Sequence, residues 1–396
     1  MKPAGAEQRR ILVLVSSVLV VDAALYTALT PLLPTLQHEL DLSDSAVGLL
    51  VAIYAIGLLV LALPAGWITG RIGARATMVA SLWLFAAASV GFGLGDSIVV
   101  LDAMRWLQGA ASALSWTAGF AWLLAVGPKD RQGMLIGSAI SAAVAGGIAG
   151  PALGALAAEI GRAPVFIGIA VGAIALAAAV RMLPEPAESG DLRLMAALRT
   201  LRRGPGAISA WIVLLSASLY GSLTVLAPLR LDSLGVGATA IGAIFLGIGV
   251  SEIVVGPVVG RISDRRGVRV PMLYALAATA TLLVVLALVG SLAPTIATIA
   301  ILVPSVTAMI TPAFTSLGKV AEVYGVASAG VFAAGNLAYA GGEGTGALAA
   351  GWLEDAGRGD ITYIALAVLA LATIAALRSV RHPVLGRPAA QPTTRA

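Results

Sequence analysis

The sequence predicts an all-α membrane protein of twelve transmembrane helices, built as two parallel six-helix repeats, and three observations carry that expectation. Of 396 residues, 59% are hydrophobic and only 11% are charged, against about a quarter charged in a soluble domain. The mean hydropathy of +0.96 is sustained along the chain, leaving more apolar surface than one core can hide, so lipid must solvate most of it. A ten-residue stretch beginning at Gly66 also returns 194 positions later with half of its residues unchanged.

A bilayer-crossing helix needs about 20 mainly apolar residues. The alternation of barrel strands is not seen, so helices are the expected spanning elements. Polar, Gly/Pro-rich or charged punctuation delimits apolar runs near 11–33, 45–67, 76–95, 98–126, 133–158 and 164–183, then near 207–231, 238–262, 270–290, 294–317, 324–353 and 361–380. Residues 1–183 are therefore read as an N-terminal bundle. Residues 184–206, with two Glu, one Asp and four Arg, form a cytoplasmic linker, and residues 207–396 a C-terminal bundle with a short tail. The first run is of span length and leads into Pro31 and Pro34 instead of a small-residue cleavage site, so it is expected to stay attached.

Orientation follows from the basic residues. Of 25 Lys and Arg, three (Arg162, Arg230 and Arg358) fall on one side, Arg105 lies within a span, and the other 21 share the side of both termini. The positive-inside rule puts that side in the cytoplasm. The net charge of +5 is thus read as topology, and with no basic stripe interleaved with aromatics no nucleic-acid partner is expected. Cysteine is absent and the two histidines, His38 and His382, sit in polar stretches. Disulfides, thiolate metal sites and Cys or His catalysis are not expected, and neither is an enzyme. No Gly-x-x-x-x-Gly-Lys-Ser/Thr loop is present to power the protein with nucleotide.

The repeat is GWITGRIGAR at residues 66–75 against GRISDRRGVR at 260–269. Pro34 falls on Pro228 at the same offset, and AGG at 145–147 returns at 340–342. Six spans per copy is an even number, so both copies enter the membrane from one side and enclose a cavity between them.

These residues resemble the major facilitator superfamily over nearly the whole chain. Its loop signature appears as Gly260, Asp264, Arg265, Gly267 and Arg269, while in the first half Gly70 replaces the acid. Arg105-x-x-Gln108-Gly109 in the fourth helix and Gly146-x-x-x-Gly150-Pro151-x-x-Gly154 in the fifth look like motifs of drug:proton antiporters. VVDAALYTALTPLLPTL at 20–36, GRIG after the second helix and RWLQGAASALSW in the fourth are similar to vesicular monoamine-type transporters and their bacterial relatives. The vesicular pattern would place a lysine near Tyr54 and acids near Thr224, Thr307 and Asn336, so those roles do not carry over. The short first outer loop and the absence of a glycosylation sequon at Asn336, the sole Asn, fit a bacterial plasma-membrane protein better than a vesicular one.

A charge at bilayer depth costs several kcal/mol unless it meets a partner or a wet cavity, which makes each one a functional candidate. Asp22 lies 12 residues beyond Arg10, about 18 Å along a helix and near mid-membrane. It is read as alternating between a proton and a cationic substrate, with Tyr26 one turn on; the competing reading is a fixed hydrogen bond to a neighbouring helix. Arg105 continues into Gln108, Ser112 and Ser115 on one face. The resemblance gives it a part in proton coupling, whereas a local pair with Asp102 is the plainer alternative. Glu343, with Asn336 and Tyr339 behind it, forms a candidate substrate surface in the second half, and Glu252 is either a further proton site or a packing hydrogen bond. Trp116, Tyr26, Tyr220 and Tyr339 are candidates to offer aromatic faces to an amine. Gly146, Gly150 and Gly154 with Pro151 make a close-packed, bendable seam that the resemblance reads as a hinge. Arg71, Asp264 and Arg265 are candidate gating charges.

The expected function is proton-coupled antiport of lipophilic or amine-type organic cations by alternating access, in a monomer within the bilayer, with the proton as coupling ion and no cofactor. Movement of a neutral metabolite or sugar is the alternative.

Overall fold

The computed structural model describes residues 4–126, 132–185, 194–202, 204–326 and 328–379. Among these the chain forms helices joined by short turns, with no strand. In chain order they are α1 (Ala4–Thr27), α2 (Leu33–Leu40), α3 (Asp44–Ile72), α4 (Ala74–Leu94), α5 (Ile98–Val126), α6 (Gln132–Ile160) and α7 (Arg162–Arg181). The short α8 (Leu194–Leu201) lies in the linker, followed by α9 (Gly204–Ser233), α10 (Ala238–Arg266), α11 (Arg269–Leu288), α12 (Leu292–Val323), α13 (Ser328–Asp355) and α14 (Gly359–Ser379).

The twelve predicted apolar runs each fall on one long helix, with the differences at the ends. The first run passes without a loop through a 3₁₀ turn (Thr30–Leu32) into α2. Pro31 and Pro34 lack the N–H groups an α-helix would use there, so the helix tightens and re-forms instead of continuing. At α13 the helix outlasts the apolar pattern, running through Glu354 to Asp355. Nine of the helices, among the described residues, are long and apolar enough to cross a membrane. The long helices α5, α10 and α13 carry Asp102 and Arg105, Glu252, and Glu343 respectively.

Burial shows how lipid replaces water as solvent. In α7, Val165, Phe166, Ala170, Ala173, Ala177 and Val180 are buried at helical spacing, while Ile167, Val171 and Ile174 on the other face are exposed. A helix apolar on both faces needs protein on one side and hydrocarbon on the other.

The two halves repeat each other's packing. In the first, α1 packs on α6, α3 on α5, and α4 on both α5 and α7; in the second, α9 packs on α13, α10 on α12, and α11 on both α12 and α14. Between the halves, α3 meets α13 and α10 meets α6, again a symmetric pair.

The duplicated motif does the same structural work twice. Gly73 (φ 87°) and Gly267 (φ 81°) each hold a left-handed turn between two helices, a conformation that favours glycine. The final arginine of each copy reaches the end of its own bundle's sixth helix: Arg75 donates to the Leu183 carbonyl at 2.8 Å and Arg269 to the Arg378 carbonyl at 2.6 Å. A cation at a helix C-terminus is favourably placed against the helix dipole. Arg75 also pairs with Glu185 at 3.2 Å, fastening the start of the linker.

Candidate functional site

A cavity of about 1460 Å³ lies between the bundles, lined by residues of both. Its wall extends to Gly66, Trp67 and Gly70 at the end of α3, on the terminal face where α1 begins and α14 ends. All three are exposed there, with open space beside both glycines. At the opposite face the bundles meet. A Cβ at Gly48 of α3 would lie 2.7 Å from the Ala347 carbonyl of α13, and one at Gly242 of α10 would lie 2.6 Å from Ala155 of α6. The Asp355 carboxylate accepts the backbone N–H groups of Asp44 (2.7 Å) and Ser45 (2.9 Å), closing the first turn of α3 from the other bundle. Thr239 donates to Glu159 across the α10/α6 seam. The cavity is therefore open to the terminal face and shut at the other.

Asp22 is 2% exposed and stands on the cavity wall. Tyr54 donates to its Oδ1, while Ser112 (2.9 Å) and Trp116 (2.5 Å) donate to Oδ2. A buried carboxylate in hydrocarbon needs such donors. Its helix is fixed by the glycine motif: a Cβ at Gly146, Gly150 or Gly154 would fall 2.3, 1.9 and 2.0 Å from the Val20 carbonyl, the Thr27 hydroxyl and the Ala28 carbonyl. Only glycine at those positions lets α6 approach α1 so closely, and α1 carries Asp22 between the first two of these contacts.

Glu343 of α13, 6% exposed, lines the same cavity from the second bundle and accepts a hydrogen bond from Tyr26 of α1. Arg105 lies behind and between the two acids. Its guanidinium carbon is 4.8 Å from the Tyr54 ring centre and 5.7 Å from that of Tyr26, and the two rings are 4.9 Å apart. It donates to Gln108 at 2.9 Å and to the Leu25 carbonyl at 3.3 Å. One buried cation thus supports, through two adjoining tyrosine rings tilted at 55° to each other, the hydroxyls that hold the two acids. The local Arg105–Asp102 pair does not form, and one Asp102 oxygen is buried without a hydrogen-bond partner.

The structure gathers most of the residues singled out from sequence. Asp22, Tyr26, Trp116, Pro151, Tyr220, Glu252, Asn336, Tyr339 and Glu343 all line the one cavity. Gln108 does not: it is fully buried beside Arg105, behind the wall instead of on it, because its carbonyl oxygen is taken by that guanidinium. Arg71 is exposed and stacks on Trp67 at 4.8 Å, and Arg265 is exposed. The Asp264 side chain lies outside the described residues. Sequence reasoning missed Tyr54 as a partner of Asp22. The signal for it was its position where the vesicular pattern would set a lysine.

These are the features of a membrane transporter, in which two bundles share a central cavity. The chain belongs to the Major Facilitator Superfamily, whose model matches residues 15–343. It is 31% identical over 157 residues to Multidrug resistance protein 1 of Bacillus subtilis (strain 168), covering 39% of this chain and 40% of that one. It is 29% identical over 178 residues to the MFS-type transporter ppzB of Metarhizium rileyi (strain RCEF 4871), covering 44% and 37%. These matches span about two fifths of the length of either relative. Among solved structures, a D-xylose-proton symporter superposes with a TM-score of 0.80 at 14% identity, over 97% of this chain and 100% of that one, a likeness of fold.

Proposed function

We propose that the protein is a proton-coupled antiporter that exports lipophilic or amine-type organic cations from the cytoplasm of a bacterial cell. The carrying observation is the chain Asp22, Tyr54, Arg105, Tyr26, Glu343, which joins a carboxylate of one bundle to a carboxylate of the other across the cavity. Bundles that rock about the closed seam must stretch or break the Tyr26–Glu343 link, so the state of the acids and the state of the cavity are coupled. Proton binding to Asp22 or Glu343 removes a negative charge from the wall and weakens its hold on a cation, which then leaves on the far side.

With the terminal face in the cytoplasm, as the positive-inside rule requires, the open cavity is the loading state for export. Its volume exceeds the range of about 300–1,000 Å³ common for drug-sized ligands, and its wall is largely apolar, as bulky lipophilic cargo needs. The partial likeness to a multidrug resistance protein supports the same reading. The test is reconstitution in liposomes with an imposed pH gradient, recording proton flux while methyltriphenylphosphonium, neutral sugars and organic anions are offered in turn. Exchange of the cation against protons is expected. Coupled movement of only a neutral or anionic compound would overturn the proposal.

A further inference from the structure

Among the described residues three carboxylates line the cavity, and they are not equivalent. Asp22 has donors on both oxygens, and Glu343 accepts from Tyr26. The Arg105 charge acts on both of these acids. Glu252 of α10 accepts one hydrogen bond, from Thr307 of α12 to Oε1, and among the described residues no cationic side chain pairs with it or acts on it. It is also the more open of the three, being only partly buried where Asp22 and Glu343 are 2% and 6% exposed.

Its place in the fold matters as well. One turn earlier, Gly249 and Ile148 of α6 line the same cavity, and a Cβ at Gly249 would meet Ile148 at 3.2 Å, so Glu252 lies within the cavity one turn along α10 from a cross-bundle contact. Tyr220 lines the same cavity. A carboxylate with, among the described residues, a hydrogen-bond donor on only one oxygen, in a largely apolar chamber that also holds aromatic rings, is a fitting receptor for an organic cation.

We propose that Glu252 is the counter-ion of the transported cation, while Asp22, whose oxygens are already engaged, is reserved for the proton. This rests on the cation-export reading above, and deepens it by separating the substrate acid from the coupling acid. The experiment uses the purified full-length protein and two probes of nearly one shape, cationic methyltriphenylphosphonium and neutral triphenylphosphine oxide, with binding followed by calorimetry.

Wild type is expected to prefer the cation. Glu252→Gln is expected to lose about tenfold or more in affinity for the cation while binding the neutral probe within about twofold of wild type. Glu252→Asp, which keeps the charge, is expected to keep the preference. Unchanged cation affinity in Glu252→Gln, or loss of both probes alike, overturns the assignment and leaves the export reading standing. A wild-type protein that does not discriminate between the probes overturns the export reading, and the assignment with it.

Discussion

His38 of α2 and Asp232 of α9 lie 2.8 Å apart, Nε2 to Oδ2, and they are separated by 194 positions, the offset of the duplicated motif. Each is therefore the other's counterpart in its own repeat, and their contact marks the pseudo-symmetry axis at the closed face. The pair is largely exposed on the histidine side, so it is a marker of the seam more than a source of stability, since exposed ion pairs contribute about 0–1 kcal/mol.

That geometry offers a lock. The chain has no cysteine, so His38→Cys with Asp232→Cys places the only two thiols of the protein at the axis. Bridging them with a short reducible linker should hold the far face shut and reduce flux to background, with recovery after reduction. Full activity of the bridged protein would show that this face does not open during transport.

The firmer tie is Asp355, which accepts two backbone N–H groups at the start of α3. Hydrogen bonds to a charged group contribute about 1.5–3 kcal/mol. Asp355 is exposed and asparagine keeps one acceptor oxygen, so Asp355→Asn should raise the population open at that face by about a few-fold. The check is the labelling rate of a Thr30→Cys reporter by an impermeant thiol reagent added from that face. An unchanged rate would mean that the seam is held by helix packing alone.

The glycine seam between α1 and α6 predicts a contrast within one substitution class. Gly150→Leu drives a side chain into Thr27 and the Ala24 carbonyl, and overpacking of this kind costs about 1–3 kcal/mol or more. It should lower the melting temperature and displace Asp22 along with α1, abolishing flux. Gly172→Ala in α7, where nothing lies within 4 Å, should be neutral or slightly stabilising, by about 0.5–1 kcal/mol. Thermal unfolding of the two purified variants separates the cases.

Tyr54→Phe removes the donor to Asp22 Oδ1 while keeping a ring of the same size beside Arg105. Leaving a buried acceptor without its partner costs about 1–3 kcal/mol. Proton-driven flux should fall by about tenfold or more, with the melting temperature changed far less than by Gly150→Leu. Wild-type flux would remove Tyr54 from the coupling chain.

Much of the fold was legible because its signals are local. Apolar runs interrupted by charge and proline report helices directly, and the repeat of Gly73 and Arg75 at Gly267 and Arg269 reports the duplication. The prominence of Asp22, Glu343 and Arg105 was legible for the same reason, since a charge inside an apolar run is conspicuous. Partnerships were not. Asp22 is joined to Tyr54, Ser112 and Trp116 over separations of 32, 90 and 94 residues, and helical periodicity says nothing about which neighbouring face a residue meets. Arg105 and Asp102 share a helix at a spacing that permits pairing, yet the guanidinium turns toward Gln108 and the two tyrosine rings, which tertiary packing alone brings within reach.

The central claim is that a buried carboxylate on α1 exchanges its proton as the cavity changes sides. Its most direct test is Asp22→Asn in liposomes carrying a pH gradient, followed by efflux of methyltriphenylphosphonium. Loss of gradient-driven efflux in correctly folded protein is the predicted result. Gradient-driven efflux at the wild-type rate would contradict the account.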